Sequence, residues 1–296
     1  METAAILQEN VALSRFTTIG TGGPAALFAR PRTLPELEEV IGWAVAAGRR
    51  VEVIGLGSNL LVADEGVDAV VVKLSGELAQ ARVEDGVLVA GGGAPNAVCL
   101  HRARAASLGG FEFASAIPGT AGGGVRMNAG AYGSDWRSVM IDAVVVDANG
   151  VRTLTPGDLR LAYRHSNLEP GQVVAQVRFS LTPRRADEIK AHVSELLAQR
   201  KATQPTTKRT FGSVFKNPAP DLRAGWMIEQ CGLKGHRIGG ARISPRHANF
   251  IENAGDAASA DALALMGEAR RRVRERFGVE LEHEVQFLGG LRLPPL

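Results

Sequence analysis

Ile117-Pro118-Gly119-Thr120-Ala121-Gly122-Gly123-Gly124, followed by Asn128-Ala129-Gly130-Ala131-Tyr132-Gly133, is the stretch on which the reading of this chain turns. Glycine disfavours a helix by about 1 kcal/mol per residue relative to alanine. Gly119, Gly122, Gly123, Gly124, Gly130 and Gly133 would therefore weaken any helix built here. A plain surface loop would be less apolar than Val125, Met127, Ala129 and Ala131 make this one. The pattern predicts backbone laid against a ligand, and successive backbone N–H groups in such a loop can cradle phosphate oxygens.

Two more glycine-centred stretches extend the reading. Gly55-Leu56-Gly57-Ser58-Asn59-Leu60-Leu61 follows the short strand Val51-Glu52-Val53-Ile54, and Ser58 and Asn59 add side-chain donors. A dinucleotide fingerprint needs its glycines to open an amphipathic helix, whereas Asn59-Leu60-Leu61-Val62 reads as a return strand or loop. A plain glycine turn between strands thus stands beside the phosphate reading. Phe211-Gly212-Ser213-Val214-Phe215-Lys216-Asn217-Pro218 presents a hydroxyl, an ammonium and an amide within five residues. A diphosphate-bearing cofactor with a separate reacting site accounts for all three stretches.

At 296 residues the chain exceeds one ordinary core and predicts two or three domains. A net charge of +3 gives no nucleic-acid footprint. Cys99 and Cys231 lie far apart with no CxxC, and the six histidines show no HxxxH or HExxH spacing, so neither a disulfide framework nor a metal is expected. No leader pattern or run of membrane-span length occurs, which leaves a reducing cytoplasm as the expected setting.

Leu34, Leu37, Val40, Ile41, Ala44 and Val45 put one apolar stripe on a helix started by Thr33 and Pro35 and stopped at Gly48. Ala69 to Leu74 and Val87 to Ala90 read as strands, and Pro95 to Ser107 as a helix. Ile141 to Asp147 and Val151 to Leu154 flank Asn149-Gly150, a hairpin signal. A strand from Val173 to Leu181 precedes a helix through Ile189, Val193, Leu196 and Leu197. Helices around Leu222 to Gln230 and Ser259 to Phe277 and a terminal strand from Glu284 to Leu288 complete an α+β pattern. The arginines from 270 to 276 interleave with Glu268 and Glu275 and read as a solvated helix face.

The stretch Pro118 to Gly133, with Gly55 to Leu61 upstream, resembles the FAD domain of the UDP-N-acetylenolpyruvoylglucosamine reductase family. Ala162-Tyr163-Arg164-His165-Ser166, Gly212 to Pro218 and Leu281-Glu282-His283-Glu284-Val285 are similar to further stretches of that family, so the likeness runs from about Thr17 to Leu288. It implies an α+β, two-subdomain FAD-binding fold of the vanillyl-alcohol-oxidase type with a C-terminal α+β substrate domain. The boundaries expected are 1–76 and 77–197 for the two FAD subdomains. The substrate domain would be 198–296, its terminal strand returning to the flavin site. The family reduces the enolpyruvyl ether of UDP-N-acetylglucosamine to a lactyl ether, giving UDP-N-acetylmuramate for peptidoglycan, with NADPH and non-covalent FAD. NADPH and substrate would use one pocket in turn.

Carried over by motif, Gly55, Gly57, Ser58, Asn59, Leu60, Pro118, Gly119, Thr120, Gly122, Gly123, Asn128, Gly130 and Ala131 would bind FAD. Lys216 and Asn217, and less directly His247, would face the UDP-sugar. Hydride addition at the enolpyruvyl β-carbon leaves negative charge on the α-carbon and its carboxylate, which calls for preorganised donors. Arg164 matches the family arginine that supplies them, and a guanidinium is planar and permanently charged. Ser213 matches the proton donor to the α-carbon, with help required because a serine hydroxyl is a weak acid. Glu284 matches the catalytic glutamate, with Glu282 a lesser candidate two residues earlier. Larger members place a tyrosine on an extra loop over the substrate; here Tyr132 and Tyr163 both lie in the FAD-domain motifs, as in a compact subtype lacking that loop. Another flavin oxidoreductase on this scaffold, an alcohol or lactone oxidase, and a non-catalytic UDP-sugar binding protein are the rival readings.

Overall fold

The computed structural model describes residues 7–296; residues 1–6, on which part of the reading of the N-terminus rests, lie outside the described residues. The chain divides into two compact units, neither a single run of sequence. Residues 7–9, Leu27–Leu56 and Ala69–Arg200 make the first, and Asn10–Ala26, Gly57–Asp68 and Lys201–Leu296 make the second. Helix and strand are mixed in both, the α+β class expected.

In the first unit, helix α1 (Leu34–Ala46) begins where the sequence predicts. The Thr33 side chain accepts the Glu36 amide, and a proline occupies the first turn. Its buried stripe of Leu37, Val40, Ile41 and Ala44 packs with Val51, Val70, Val72 and Leu74 into one core. Val51–Val53 pairs in parallel with residues 70–72. A five-stranded antiparallel sheet follows, ordered Gly150–Leu154, Met140–Asp147, Val173–Ser180, Val87–Gly91 and Ala81–Glu84. The Asn149-Gly150 hairpin forms, with Val146 opposite Val151. Val146, Val173 and Ala175 face the α1 core, while Val145, Val177 and Phe179 face a second one. That second core holds α2 (Asn96–Ala105) and a fully buried Trp136, whose ring lies 5.3 Å from Phe111 and 5.5 Å from Phe113.

The glycine stretch corrects the sequence reading. It forms a helix, α3 (Ala121–Met127), despite three successive glycines. Packing outweighs propensity here. A Cβ on Gly124 would lie 2.1 Å from Trp136 Cε2, and one on Gly122 would lie 2.9 Å from the Gly92 carbonyl oxygen. The glycines therefore let a helix sit where no side chain fits. After a single helical turn at Trp136–Val139, the next long helix is α4 (Ala186–Thr203).

The second unit has an antiparallel sheet ordered Thr210–Ser213, Phe250–Asn253, Ala241–Ile243 and Arg237–Ile238. Helices α5 (Ala224–Gln230) and α6 (Ser259–Phe277) share its core with Phe211, Val214, Phe215 and Ile251. Asp64 anchors the start of α6 by accepting the Ser259 and Ala260 amides, each at 2.9 Å. Leu60–Val62 is a strand and pairs in parallel with Gln286–Leu288. The last regular strand thus begins at Gln286, two residues beyond the expected Glu284, because residues 282–284 pair elsewhere. Arg271 and Arg272 bridge to Glu268, and Arg271 also to Glu275, the solvated ladder expected of that face. No helix among the described residues is long and apolar enough to cross a membrane.

Candidate active site

Within the first unit, the chain leaves Val51–Val53 and passes Gly55 against the loop that leads into α3. A Cβ on Gly55 would lie 2.8 Å from Thr120 Oγ1, so these two glycine stretches meet only because no side chain intervenes. The Lys73 ammonium donates to the Gly55 carbonyl oxygen. Burial holds the Lys73 pKa below its ordinary value, with Arg30 adding to the effect. Lys73 carried no motif and was not singled out from sequence.

The backbone N–H groups of the second stretch are less available than the sequence suggests. The Ala121 amide donates to the Ala94 carbonyl and the Gly122 amide to the Gly92 carbonyl. Thr120 Oγ1 accepts the Gly123 amide at 3.3 Å, and the Gly119 carbonyl accepts the Asn96 amide. What Gly123 retains for a ligand is an absent side chain rather than a free donor, whereas the space beside Gly122 is taken by the Gly92 carbonyl. Pro118 and Gly123 are exposed. Asn128 is buried at the left-handed end of α3, where its Nδ2 donates to Asp135 and to the Ala162 carbonyl and its Oδ1 accepts the Arg137 amide. Its side chain thus pins the following loop. Ala131 pairs with Ser134 across a turn in which Tyr132 and Gly133 both have positive φ.

Arg164 sits at the tip of a tight turn closed by reciprocal hydrogen bonds between Ala162 and His165. Its φ of 51° is left-handed, a conformation that costs a non-glycine residue roughly 1–2 kcal/mol. The guanidinium donates to the Gly130 carbonyl at 2.7 Å and lies 5.1 Å from the centre of the Tyr163 ring. Arg164 is thereby fixed to the glycine stretch itself. Through these contacts the first unit brings together two pairs of expected residues, Gly55 with Thr120 and Gly130 with Arg164.

In the second unit, the segment after Gly212 lies against the chain before the last strand. The Lys216 amide donates to the Glu282 carbonyl and the Glu284 amide to the Val214 carbonyl, with Phe215 opposite His283. Ser213 and Glu284 therefore lie on adjacent paired segments. Asn59 Nδ2 donates to the Glu284 carbonyl at 3.2 Å, and the Asn59 carbonyl accepts the Gln286 amide at 2.9 Å. A Cβ on Gly212 would lie 3.2 Å from the Ser58 carbonyl oxygen, so Ser58 and Asn59 join this cluster. Gly57 serves packing: a Cβ there would lie 2.0 Å from the Phe16 carbonyl oxygen. Leu60 opens the parallel strand pair.

Three neighbours complete the cluster. The Lys216 ammonium pairs with Glu282, whose side chain is 71% exposed. Asn217 Oδ1 accepts the Ala224 amide at 3.1 Å and so ties the segment to the start of α5. The half-buried His247 packs against Gly225 and Phe250, its Nδ1 accepting the Asn249 amide at 3.2 Å. Burial, and then the charge of Lys234, hold its pKa below the usual 6.5. Asn249, unassigned from sequence, is buried with Oδ1 accepting the Phe215 amide at 3.0 Å and Nδ2 donating to the Phe215 carbonyl at 2.8 Å. No group of three His, Cys, Asp or Glu side chains among the described residues could hold a metal ion.

Residues 25–155 match a family model described as an FAD binding domain, and the class is a flavin-dependent oxidoreductase. Residues 204–288 match the model for the UDP-N-acetylenolpyruvoylglucosamine reductase C-terminal domain. UDP-N-acetylenolpyruvoylglucosamine reductase 2 of Symbiobacterium thermophilum is 42% identical over 279 residues, covering 94% of this chain and 90% of that protein. The reductase of Agathobacter rectalis is 41% identical over 297 residues, covering 96% and 94%. The crystal structure of UDP-N-acetylenolpyruvylglucosamine reductase from Thermus caldophilus superposes with a TM-score of 0.83 at 36% identity, covering 96% of this chain and 100% of that one. The chain belongs to the UDP-N-acetylenolpyruvoylglucosamine reductase family.

The first unit fits an FAD group on its own observations. Ser115 Oγ and Asn96 Oδ1 are buried without a hydrogen-bond partner among the described residues. Both adjoin the loop from Ile117 to Thr120, for Asn96 Nδ2 donates to the Ile117 carbonyl. Orphaned buried polar atoms beside a loop with Gly119 at its centre and Pro118 exposed suit a polar ligand laid on the backbone.

Proposed function

We propose that Arg164, Ser213 and Glu284 carry the chemistry by which this enzyme reduces UDP-N-acetylglucosamine enolpyruvate to UDP-N-acetylmuramate. Bound FAD, recharged by NADPH, supplies a hydride equivalent to the enolpyruvyl β-carbon. Gly55, Gly57, Ser58, Asn59, Leu60, Pro118, Gly119, Thr120, Gly122, Gly123, Gly130 and Ala131 are assigned to hold the cofactor. Asn128 acts by holding the loop they belong to. The three stretches 1–76, 77–197 and 198–296 are assigned as two cofactor subdomains and a substrate domain.

The Arg164 guanidinium stabilises the carboxylate as negative charge spreads onto it from the α-carbon. Its anchor on the Gly130 carbonyl and its left-handed backbone fix it before substrate arrives, which is the preorganisation such stabilisation requires. The Ser213 hydroxyl delivers the proton to the α-carbon. Glu284 orients and stabilises the enolic intermediate. Lys216, paired with the exposed Glu282 in this structure, offers a point charge for the diphosphate, while Asn217 and His247 complete the sugar-facing side. The cytoplasm, where Cys99 and Cys231 stay as free thiols, is the compartment assigned.

The observation that supports this reading is the pairing of residues 214–216 with residues 282–284, in which Glu284 stands opposite Val214, the residue after Ser213. The test is the visible spectrum of the purified protein. NADPH should bleach the flavin bands, and the enolpyruvyl substrate should restore them without oxygen. In Ser213→Ala, bleaching should keep nearly its normal rate while recovery slows by about 10²–10⁴-fold, the usual worth of a proton donor. Equal loss in both steps removes Ser213 from its role, and oxygen consumption driven by an alcohol would mark an oxidase instead.

A further inference from the structure

We infer that Asn249 is a positioning residue for the proton-transfer step: its side-chain amide continues the strand ladder past Ser213 and fixes the backbone that carries the hydroxyl. This rests on the role proposed for Ser213.

The strand Thr210–Ser213 pairs with Phe250–Asn253, Ser213 facing Phe250, with a register irregularity between Thr210 and Ser213. Beyond that point the partner strand turns away. The Val214 amide reaches the Asn249 carbonyl at 2.9 Å, and there backbone pairing on this edge ends. Val214 and Phe215 are buried, so the remaining N–H and C=O of Phe215 need partners inside the protein. Asn249 supplies both at once, its Oδ1 taking the N–H at 3.0 Å and its Nδ2 meeting the C=O at 2.8 Å. The opposite edge of the same segment is held by residues 282–284. Ser213 is thus the residue at the mouth of a segment gripped from both sides, one grip carrying Glu284 and the other made by the backbone carbonyl and side chain of the single residue Asn249.

The chemistry of that side chain is specific. An amide presents a donor and an acceptor side by side, matching one residue's C=O and N–H. A carboxylate keeps the acceptor and sets a second oxygen against the Phe215 carbonyl. A leucine of similar size offers neither. His247 in turn sets the turn on which Asn249 sits, by accepting its backbone amide.

The experiment uses the FAD-loaded enzyme with Asn249→Asp, Asn249→Leu and Ser213→Ala measured together. NADPH-driven bleaching should stay near normal in both Asn249 variants, while recovery on the enolpyruvyl substrate should slow by about 10²-fold, the scale of an ångström-level misplacement. Recovery at the normal rate in loaded Asn249 variants, with Ser213→Ala impaired, overturns the inference and leaves the Ser213 role standing. Normal recovery in Ser213→Ala overturns both. Equal loss in both steps for the Asn249 variants marks a general structural role and overturns the inference. Should neither variant fold, hydrogen exchange in the unaltered holoenzyme decides: the Phe215 amide should exchange as slowly as that of Val214, and exchange at an exposed-loop rate overturns the clamp.

Discussion

His247 is neutral by construction. Its Nδ1 must accept the Asn249 amide, and burial together with the Lys234 charge opposes protonation, holding its folded pKa below the ordinary 6.5. For a group whose folded pKa is depressed, stability is full above the unfolded value and is lost as pH falls toward and through the folded one. The thermal midpoint should therefore drop as pH falls below about 6.5. His247→Gln, which cannot be protonated, should flatten that part of the profile; an unchanged slope would mean other groups dominate it. Cys99 shows the same burial cost with the opposite sign, its thiol pushed up to about 12. It should therefore stay unlabelled by a thiol reagent at neutral pH until the protein unfolds, as burial in apolar surroundings leaves a thiol inert.

At the scale of an element, α3 sets propensity against packing most sharply. Gly124 and Gly123 are neighbours with opposite surroundings: a Cβ on the first collides with Trp136 at 2.1 Å, while one on the second meets only Thr120 Oγ1 at 3.4 Å. Gly124→Ala should cost about 1–3 kcal/mol through overpacking, seen as a lower unfolding midpoint. Gly123→Ala should leave the apoprotein as stable or up to about 1 kcal/mol more so, since alanine favours the helix. If FAD lies on that face, the same change should weaken flavin retention, which fluorescence of the released cofactor measures. Unchanged retention would take Gly123 out of the cofactor surface. The sequence showed the glycines and their purpose of close approach, but read them as weakening a helix, because what they approach is a tryptophan and a backbone carbonyl remote in the chain.

For the whole molecule, FAD adds stability by mass action, about 2.7 kcal/mol at a free concentration one hundred times its Kd. Stripping the flavin should lower the unfolding midpoint and adding it back should restore the original value; no shift on reloading would mean the folded and unfolded chains bind it alike. By itself the sequence determined the α1 stripe, the Asn149-Gly150 hairpin and the long helix Ser259–Phe277, and it marked the three glycine-centred stretches. Each is written in local periodicity, turn chemistry or a short motif that neighbouring residues suffice to specify. Only the tertiary structure decided that Glu282 pairs with Lys216 and Glu284 stands opposite Val214, that the amides of Gly122 and Gly123 are already used, and that Asn249 grips Phe215. Those facts depend on hydrogen bonds between residues tens of positions apart, whose geometry exists only after the chain has closed on itself.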